Sequence, residues 1–382
     1  MKNKTKLGIV IVAIAVMSIA IVNIVDLNKE DILKGTINIW ANEDSYDYLN
    51  ETAEKFVEIN NKAIVNVVKV NNQDYKNNLQ AAINSDNLPD IVQLNSQYLR
   101  QFEEKYKDST AIDQNTSIID NYSSNFSKGR IEEINKDNKI IGIPFTSRPL
   151  VLYLREDILK TFGYTCENIT TWDELIKMGT DVFVKSGGKV KILSAVGQDY
   201  KDLVSLLIMQ AMEETEKEDE IKAIVNKNIN NLISNNILNK DENGEFIARI
   251  ASINGMGELK TIEGPCEWTA NNAPAKASGS NRFYVSEGDN LVVIKEDEKT
   301  NTLKNKFIEF ISTNGKKDIN SIKDGKFFLS FLSVYNNKEI EGTVNNFNGK
   351  SPLVVMANIA EKAPSINDYD MYFKICDEYR KG

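Results

Sequence analysis

The sequence of 382 residues contains no histidine. That absence removes Ser-His-Asp and Cys-His nucleophilic catalysis, and every histidine-containing zinc motif. Cysteine is scarce: Cys166, Cys266 and Cys376 lie far apart, with no C-x-x-C pair. An odd number cannot all pair within one chain, so three free, partly buried thiols are expected rather than a disulfide scaffold. Basic residues are outnumbered, 46 Lys and Arg against 55 Asp and Glu, for a net charge of −9. Non-specific nucleic-acid binding needs basic surface, so no nucleic-acid partner is expected. Acidic stretches such as Glu213–Glu220 and Glu296–Glu298 read as solvated faces. The segment 241–245 faintly suggests a calcium loop, but the ligand spacing and terminal glutamate of such a loop are missing. It reads as a turn, and no metal site is expected. No internal repeat and no low-complexity tract is present.

What is there is an apolar fraction of 41% with 26% charged residues. That suits a soluble body, and the length suits two domains of ordinary size. The first residues are different. Lys2, Lys4 and Lys6 precede an apolar run, Leu7–Val25, interrupted only by Gly8, Ser18 and Asn23. As a helix rising ~1.5 Å per residue, the run is close to the thickness of a bilayer core. The lysines would stay inside, placing everything from residue 26 onward outside the cytoplasm. Two readings stand: an uncleaved membrane anchor, or a secretory signal cut after the small residues of Ser18-Ile19-Ala20.

From residue 36 the chain alternates strand and helix. Thr36–Trp40 predicts a strand, Tyr46–Ile59 a helix, Ile64–Val70 a strand, Tyr75–Asn84 a helix and Ile91–Leu94 a buried strand. This pattern predicts an α/β fold with mostly parallel sheets, whose ligands sit beyond the carboxyl ends of the strands. Those ends are Asn42–Ser45 and Asn95–Gln97. A second α/β body is expected over 176–290, with helices at Asp202–Met212 and Glu220–Ile237. A strand at Phe246–Ile253 would meet a turn at Asn254-Gly255-Met256-Gly257. A further strand at Leu291–Ile294 and a helix at Leu303–Ile311 follow.

The stretch IIGIPFTSRPLVLYLREDILKTFGYTCENITTWDEL at 140–175 carries the most information. Two short apolar runs, Ile140–Phe145 and Leu150–Leu154, flank the polar patch Thr146-Ser147-Arg148, and Pro144 and Pro149 break them. A helix over Glu156–Phe162 should stop at Gly163. Thr171-Trp172-Asp173-Glu174 fits a capping box that starts another helix. A chain crossing between two α/β bodies at a polar kink implies a cleft, and such clefts bind ligands.

Together with GTINIWANED at 35–44, YKNNLQAAINSDNLPDIVQL at 75–94, ARIASING at 248–255 and LVVIKEDEKTNTLKNKFIEFIS at 291–312, this stretch resembles the bacterial extracellular solute-binding proteins of ABC importers, in their maltodextrin-binding branch. The resemblance spans nearly all of 35–382 and rests on the order and spacing of the pieces. It implies the two-lobe, type II periplasmic-binding-protein fold with a hinged cleft. Lobe 1 would comprise 35–145 and 285–333, and lobe 2 would comprise 146–284 and 334–382. Residues 1–34 would be the anchor or signal segment with its linker. Gram-positive relatives usually carry a lipid-modified cysteine after the apolar run. No cysteine precedes Cys166 here, so that attachment is not expected.

The resemblance also implies where a ligand would be held. Asn42 and Asp44, with Glu43 between them, match polar ligand-contacting positions. Asp44 or Ser45 would alternatively, or in addition, cap the helix from Tyr46. Asn95, Ser96 and Gln97 form the second loop, where Gln97 replaces a sugar-binding aspartate of the family; a plain polar turn is the other reading. Thr146, Ser147 and Arg148 form the third. Arg148 stands where the family has a glutamate, which points either to a ligand with a carboxylate or phosphate or to a surface ion pair. Gln198, Asp199 and Tyr200 align near a stacking tyrosine. Asn254 and Met256 lie in the counterpart of an Asn-Gly-Pro-Trp turn whose tryptophan is lost. Trp268 is a candidate substitute, and Tyr46, Tyr153, Tyr284 and Tyr372 are weaker ones. Trp40 and Trp172 are expected in the core.

The implied function is the extracellular substrate-binding component of an ABC transporter. A sugar or oligosaccharide would be enclosed by hinge closure and delivered to a membrane permease, with no cofactor and no chemistry. One alternative is a membrane-anchored sensory or scaffold protein that reuses the fold. Another is a carbohydrate-active enzyme, for which Glu43 with Asp44 is the best available pair. Neighbours on one loop tip seldom flank a glycosidic bond.

Overall fold

The computed structural model describes residues 32–380, apart from 73, 86, 107–115, 137, 243 and 315–318. The run Leu7–Val25, including Ser18–Ala20, lies outside the described residues, as does position 243 of the 241–245 segment. Among the described residues no helix is long and apolar enough to cross a membrane.

The architecture is two α/β lobes, each built on one five-stranded sheet. In the first, β1 (Lys34–Ala41), β2 (Lys62–Lys69) and β3 (Ile91–Asn95) pair in parallel in the order β2-β1-β3. Helices Tyr46–Ile59 and Tyr75–Asn84 make the crossovers. The first of them buries Tyr48, Leu49, Thr52, Ala53 and Phe56, the face set by its helical spacing. A short hairpin of β4 (Asn135–Lys136) and β5 (Lys139–Ile140) leads to β6 (Ile143–Pro144) at the sheet's far edge.

The chain then crosses through β7 (Thr146–Ser147) into the second lobe. There β8 (Val151–Arg155), β9 (Leu193–Ser194), β10 (Leu238–Asn239), β11 (Ala248–Ala251) and β12 (Trp268–Asn272) form a sheet in the order β10-β9-β11-β8-β12. The return crossing enters β13 (Asp289–Val293), which lies between β3 and β6 and runs antiparallel to both. A third crossing follows at β14 (Phe328–Leu329), paired with β7. Each sheet is therefore mixed, with two parallel and two antiparallel pairings. The antiparallel pairings arise where strands come in from the crossings.

The crossings are tied to one another through their backbones. Arg148 N donates to Glu287 O at 2.8 Å, Ser286 N to Arg148 O at 3.1 Å, and Ser330 N to Phe145 O at 2.8 Å. The hydroxyls of Ser147 and Ser330 lie 2.7 Å apart. Helix Tyr369–Arg380 packs its Tyr372, Phe373, Ile375 and Cys376 into the second lobe's core.

Local signals worked well. The capping box at Thr171 and Glu174 is complete and opens helix Trp172–Lys185. Gly163 follows helix Glu156–Thr161 at φ +84, a left-handed conformation that glycine reaches without strain. Three expectations are corrected. The stretch Asn254–Gly257 is not a turn but part of helix Ile253–Leu259, because Ile253, Met256 and Leu259 share one buried face. The helix expected from Asp202 starts earlier, so that Gln198, Asp199 and Tyr200 form the first turn of helix Gly197–Met212. Ser96 and Gln97 open helix Ser96–Tyr106 directly after β3.

The three thiols are free, with Cys166 and Cys376 buried and Cys266 half-buried. Burial pushes Cys166 and Cys376 up to about 11, which leaves both as unreactive thiols near neutral pH. Trp40 meets Tyr75 edge-on at 6.4 Å, and Trp172 donates to Gln210 Oε1 at 2.8 Å.

Candidate functional site

A cleft of about 550 Å³ lies where the crossings meet the two sheets. Its first wall is the C-terminal end of β1 and β3, with Asn42, Gln93 and Asn95. Its floor is the crossing band, with Thr146, Ser147, Arg148, Glu287, Gly288 and Asp289. Gln198, Lys201 and Ile253 come from the second lobe, and Lys326, Phe327 and Phe328 from the third crossing.

The floor is built around Asp289. Its carboxylate accepts from Asn42 Nδ2 at 2.8 Å and from Gln93 Nε2 at 2.5 Å. Burial raises the Asp289 carboxyl above the ordinary range, and Glu287 adds to this, while Gln93, Arg130 and Asn42 oppose it. Ser45 Oγ lies 2.7 Å from Asn42 Oδ1 and 2.6 Å from Gln93 Oε1. Ser45 is thus spent inside the network and makes no side-chain cap to helix Tyr46–Ile59, so the capping role expected of Asp44 or Ser45 is absent. Beneath the floor, buried Arg130 donates to Ser96 Oγ at 3.0 Å, Asp289 O at 3.0 Å and Asn290 Oδ1 at 2.8 Å, and pairs with Glu133. Gly288 sits so tightly here that a Cβ would fall 2.1 Å from Thr146 O and 2.8 Å from the Arg130 guanidinium carbon.

Arg148 is already engaged. Its Nη2 reaches both carboxylate oxygens of Asp202 at 3.0 Å and Asn254 Oδ1 at 3.3 Å, and its Nε lies 3.9 Å from Glu287. Burial works against the charge, but Asp202 and Glu287 outweigh it and raise the guanidinium's pKa. The ion-pair reading of Arg148 therefore fits better than a free fork awaiting an anion, although the pair lies in the cleft and not on the open surface. Gln198 Nε2 also donates to Asp202, at 2.9 Å.

Of the residues singled out from sequence, Asn42, Asp44, Asn95, Thr146, Ser147, Arg148 and Gln198 line this cleft. The others do not. Glu43 turns toward the 71–72 loop, where its N–H donates to Asn72 Oδ1 at 3.3 Å. Ser96 is buried and donates to Gly288 O at 2.8 Å. Gln97 donates to Asp377 of the C-terminal helix at 2.6 Å. Asp199 is buried against Arg249, at 2.6 Å. Tyr200 packs at the margin of the second lobe's core. Asn254 touches the site only through Arg148. Met256 is fully buried, as is Trp268, whose ring lies 5.9 Å from Phe246 and under the Arg155 guanidinium. Neither can offer a face to a ligand. Tyr153, Tyr284 and Tyr372 are likewise buried, and Tyr46 lies outside the cleft against Lys69.

The aromatic groups on the lining are Tyr75, Tyr98, Phe327 and Phe328, of which Tyr98 alone is not buried. Sequence reasoning missed these, and also missed Asn72, Gln93, Lys201, Ile253, Glu287, Gly288, Asp289 and Lys326. One signal was available. The polar run Glu287-Gly288-Asp289 enters a strand, and in an antiparallel neighbour the entry end lies beside the exits of the parallel strands. Asp289 pairs with Asn95 in that way.

The sequence matches the family model for bacterial extracellular solute-binding proteins over residues 51–363. It is 28% identical over 168 residues to a lactose-binding protein of Rhizobium radiobacter, a match that takes in 42% of this chain and 39% of that protein. The matched part is thus about two fifths of the relative's length. Among solved structures, the fold resembles the cyclic α-maltosyl-1,6-maltose binding protein from Arthrobacter globiformis, with a TM-score of 0.72 at 17% identity over 91% of this chain and 93% of that one. It also resembles the sugar-binding protein MalE from Xanthomonas citri, with a TM-score of 0.71 at 15% identity over 91% and 90% of the two chains.

Proposed function

The chain belongs to the bacterial extracellular solute-binding proteins, and from that premise we propose that it captures a sugar or oligosaccharide between its lobes for delivery to the membrane permease of an ABC importer. The observation that carries this reading is the Asp289–Asn42–Gln93–Ser45 network on the cleft floor. It fixes amide and carboxylate groups in place before any ligand arrives, which suits recognition of hydroxyls. The cleft volume of about 550 Å³ lies within the usual range for small-molecule sites. In this reading Asn42, Asp44, Asn95, Thr146, Ser147, Gln198, Lys201 and Asp289 contact ligand, Arg148 braces the floor, and Tyr98 supplies the aromatic surface.

The proposed lobe boundaries are those implied by the family resemblance. In this reading 35–145 and 285–333 form lobe 1, and 146–284 with 334–382 form lobe 2. The segment Leu7–Val25 would hold the protein at the outer face of the cytoplasmic membrane, or direct its secretion if cut. No reaction is assigned to the site. Isothermal titration with neutral oligosaccharides, sugar acids and short peptides tests the proposal. Binding of a neutral oligosaccharide that is lost in Asp289→Ala is the expected result. Failure of every solute to bind or to raise the melting temperature would refute it.

A further inference from the structure

A second sizeable cavity lies among the described residues, away from the interlobe cleft. A groove of about 710 Å³ runs along the outer edge of the second sheet, between β12 and helix Pro352–Lys362. β12 is an edge strand. Its Trp268 bonds outward, through its N–H to Asn346 O and its C=O to Asn348 N, both at 2.8 Å. By strand alternation the N–H and C=O of Ala270 face the same way, into the groove.

Three cations meet there: Arg282, Lys350 and Lys362. None of them forms an ion pair among the described residues. Arg282 is half-buried. It donates from Nε to Ala273 O at 2.8 Å and from Nη2 to Asn272 O at 3.0 Å, so two carbonyls aim it and no carboxylate bonds it directly among the described residues. Burial pulls its pKa below the usual arginine value, and the field of Glu174 opposes that without outweighing it. Lys362 lies over the Phe283 ring at 5.4 Å. The carboxylates on the lining are Glu156, which pairs with Lys160 at 3.5 Å, and Glu167. The remaining polar lining is rich in amides, including Asn271 and Asn358.

We propose that this groove is a second binding site, separate from the interlobe cleft, for an anionic carbohydrate. Arg282 and Lys362 would take its acidic groups, and Asn271, Asn358 and the Ala270 backbone its hydroxyls. A peptide added to the edge strand is disfavoured, because Arg282 already occupies the Asn272 carbonyl that the next ladder bond would need.

The test uses the full chain with a galacturonic acid trimer, a neutral galactose trimer, inorganic phosphate and a short glutamate peptide. The acidic trimer should bind, weaken as salt rises, and slow hydrogen exchange in 268–272 and 352–362. Arg282→Gln should weaken it about tenfold, while Arg282→Lys retains part of the affinity. Lys362→Gln, at an exposed position, serves if Arg282→Gln does not fold. The proposal is overturned if the trimer does not bind, if protection is confined to 146–148 and 287–290, or if both variants bind normally. Equal binding of phosphate or the glutamate peptide would overturn the carbohydrate assignment.

Discussion

Arg148 and Asp202 lie 54 positions apart, yet one guanidinium nitrogen sits 3.0 Å from each oxygen of the carboxylate. The pair joins the crossing band to the helix that carries Gln198 and Lys201. Burial raises the Asp202 carboxyl, so its ionised state depends on Arg148 and, less, on Gln198. Arg148→Ala strands a buried carboxylate and should cost about 3 kcal/mol in urea melts. Arg148→Met with Asp202→Leu should recover most of that loss. A double variant no better than Arg148→Ala would show that the pair is not coupled.

Trp268 separates packing from ligand recognition. It is buried against Phe246, so Trp268→Ala should cost about 3–5 kcal/mol. Trp268→Phe keeps much of the packing and should leave affinity for any cleft ligand unchanged in titration. A selective loss of affinity with normal stability would return Trp268 to the binding site.

At the capping box, Thr171 Oγ1 accepts from Glu174 N at 3.3 Å, and Glu174 accepts from the N–H groups of Thr170 and Thr171 at 2.8 and 2.9 Å. Thr171→Ala should cost about 1 kcal/mol. The bonds from Thr170 and Thr171 hold the Glu174 carboxyl at about 2. Its folded pKa is depressed, so the stabilisation is present above the unfolded value and fades as pH falls toward about 2. Glu174→Gln should flatten that part of the acid-denaturation profile, read by circular dichroism.

Asp289 has the opposite sign. Its folded pKa is raised, so the native state holds the proton more tightly than the unfolded chain does. Its contribution to stability is greatest below the unfolded carboxylate value and is lost as pH rises through the raised folded one. Relative to wild type, Asp289→Asn should therefore gain in stability as pH rises from about 4 to about 7. Paired melts across that range check it; a gap that does not move with pH would mean Asp289 is not perturbed.

Much of this was legible in the chain itself. The Thr171 box, the Gly163 stop and the strand–helix alternation through Ile91 depend on contacts within a few residues, and periodicity reports those directly. The cleft lining was legible at the exits of parallel strands, as with Asn42 and Asn95, and at the polar crossing Thr146-Ser147-Arg148, where two apolar runs flank a polar patch. Trp268 misled because an aromatic side chain reads the same whether it faces a core or a cleft. Met256 and its neighbours read as a turn because two glycines weigh against a helix, and only the packing of Ile253, Met256 and Leu259 overrides that.

By itself the sequence determined what chemistry is unavailable, since no fold can supply an absent imidazole, and those strands and helices whose local pattern is strong, such as Tyr46–Ile59 and the helix opened at Thr171. The tertiary structure alone decided that Asp289 meets Asn42 and Gln93, that Asp202 takes up Arg148, and that Arg282 is held by the carbonyls of Asn272 and Ala273. The reason is distance along the chain. Local pattern sets each element's own geometry, while a side chain's partner depends on strand order and crossing direction, which only the assembled sheets define.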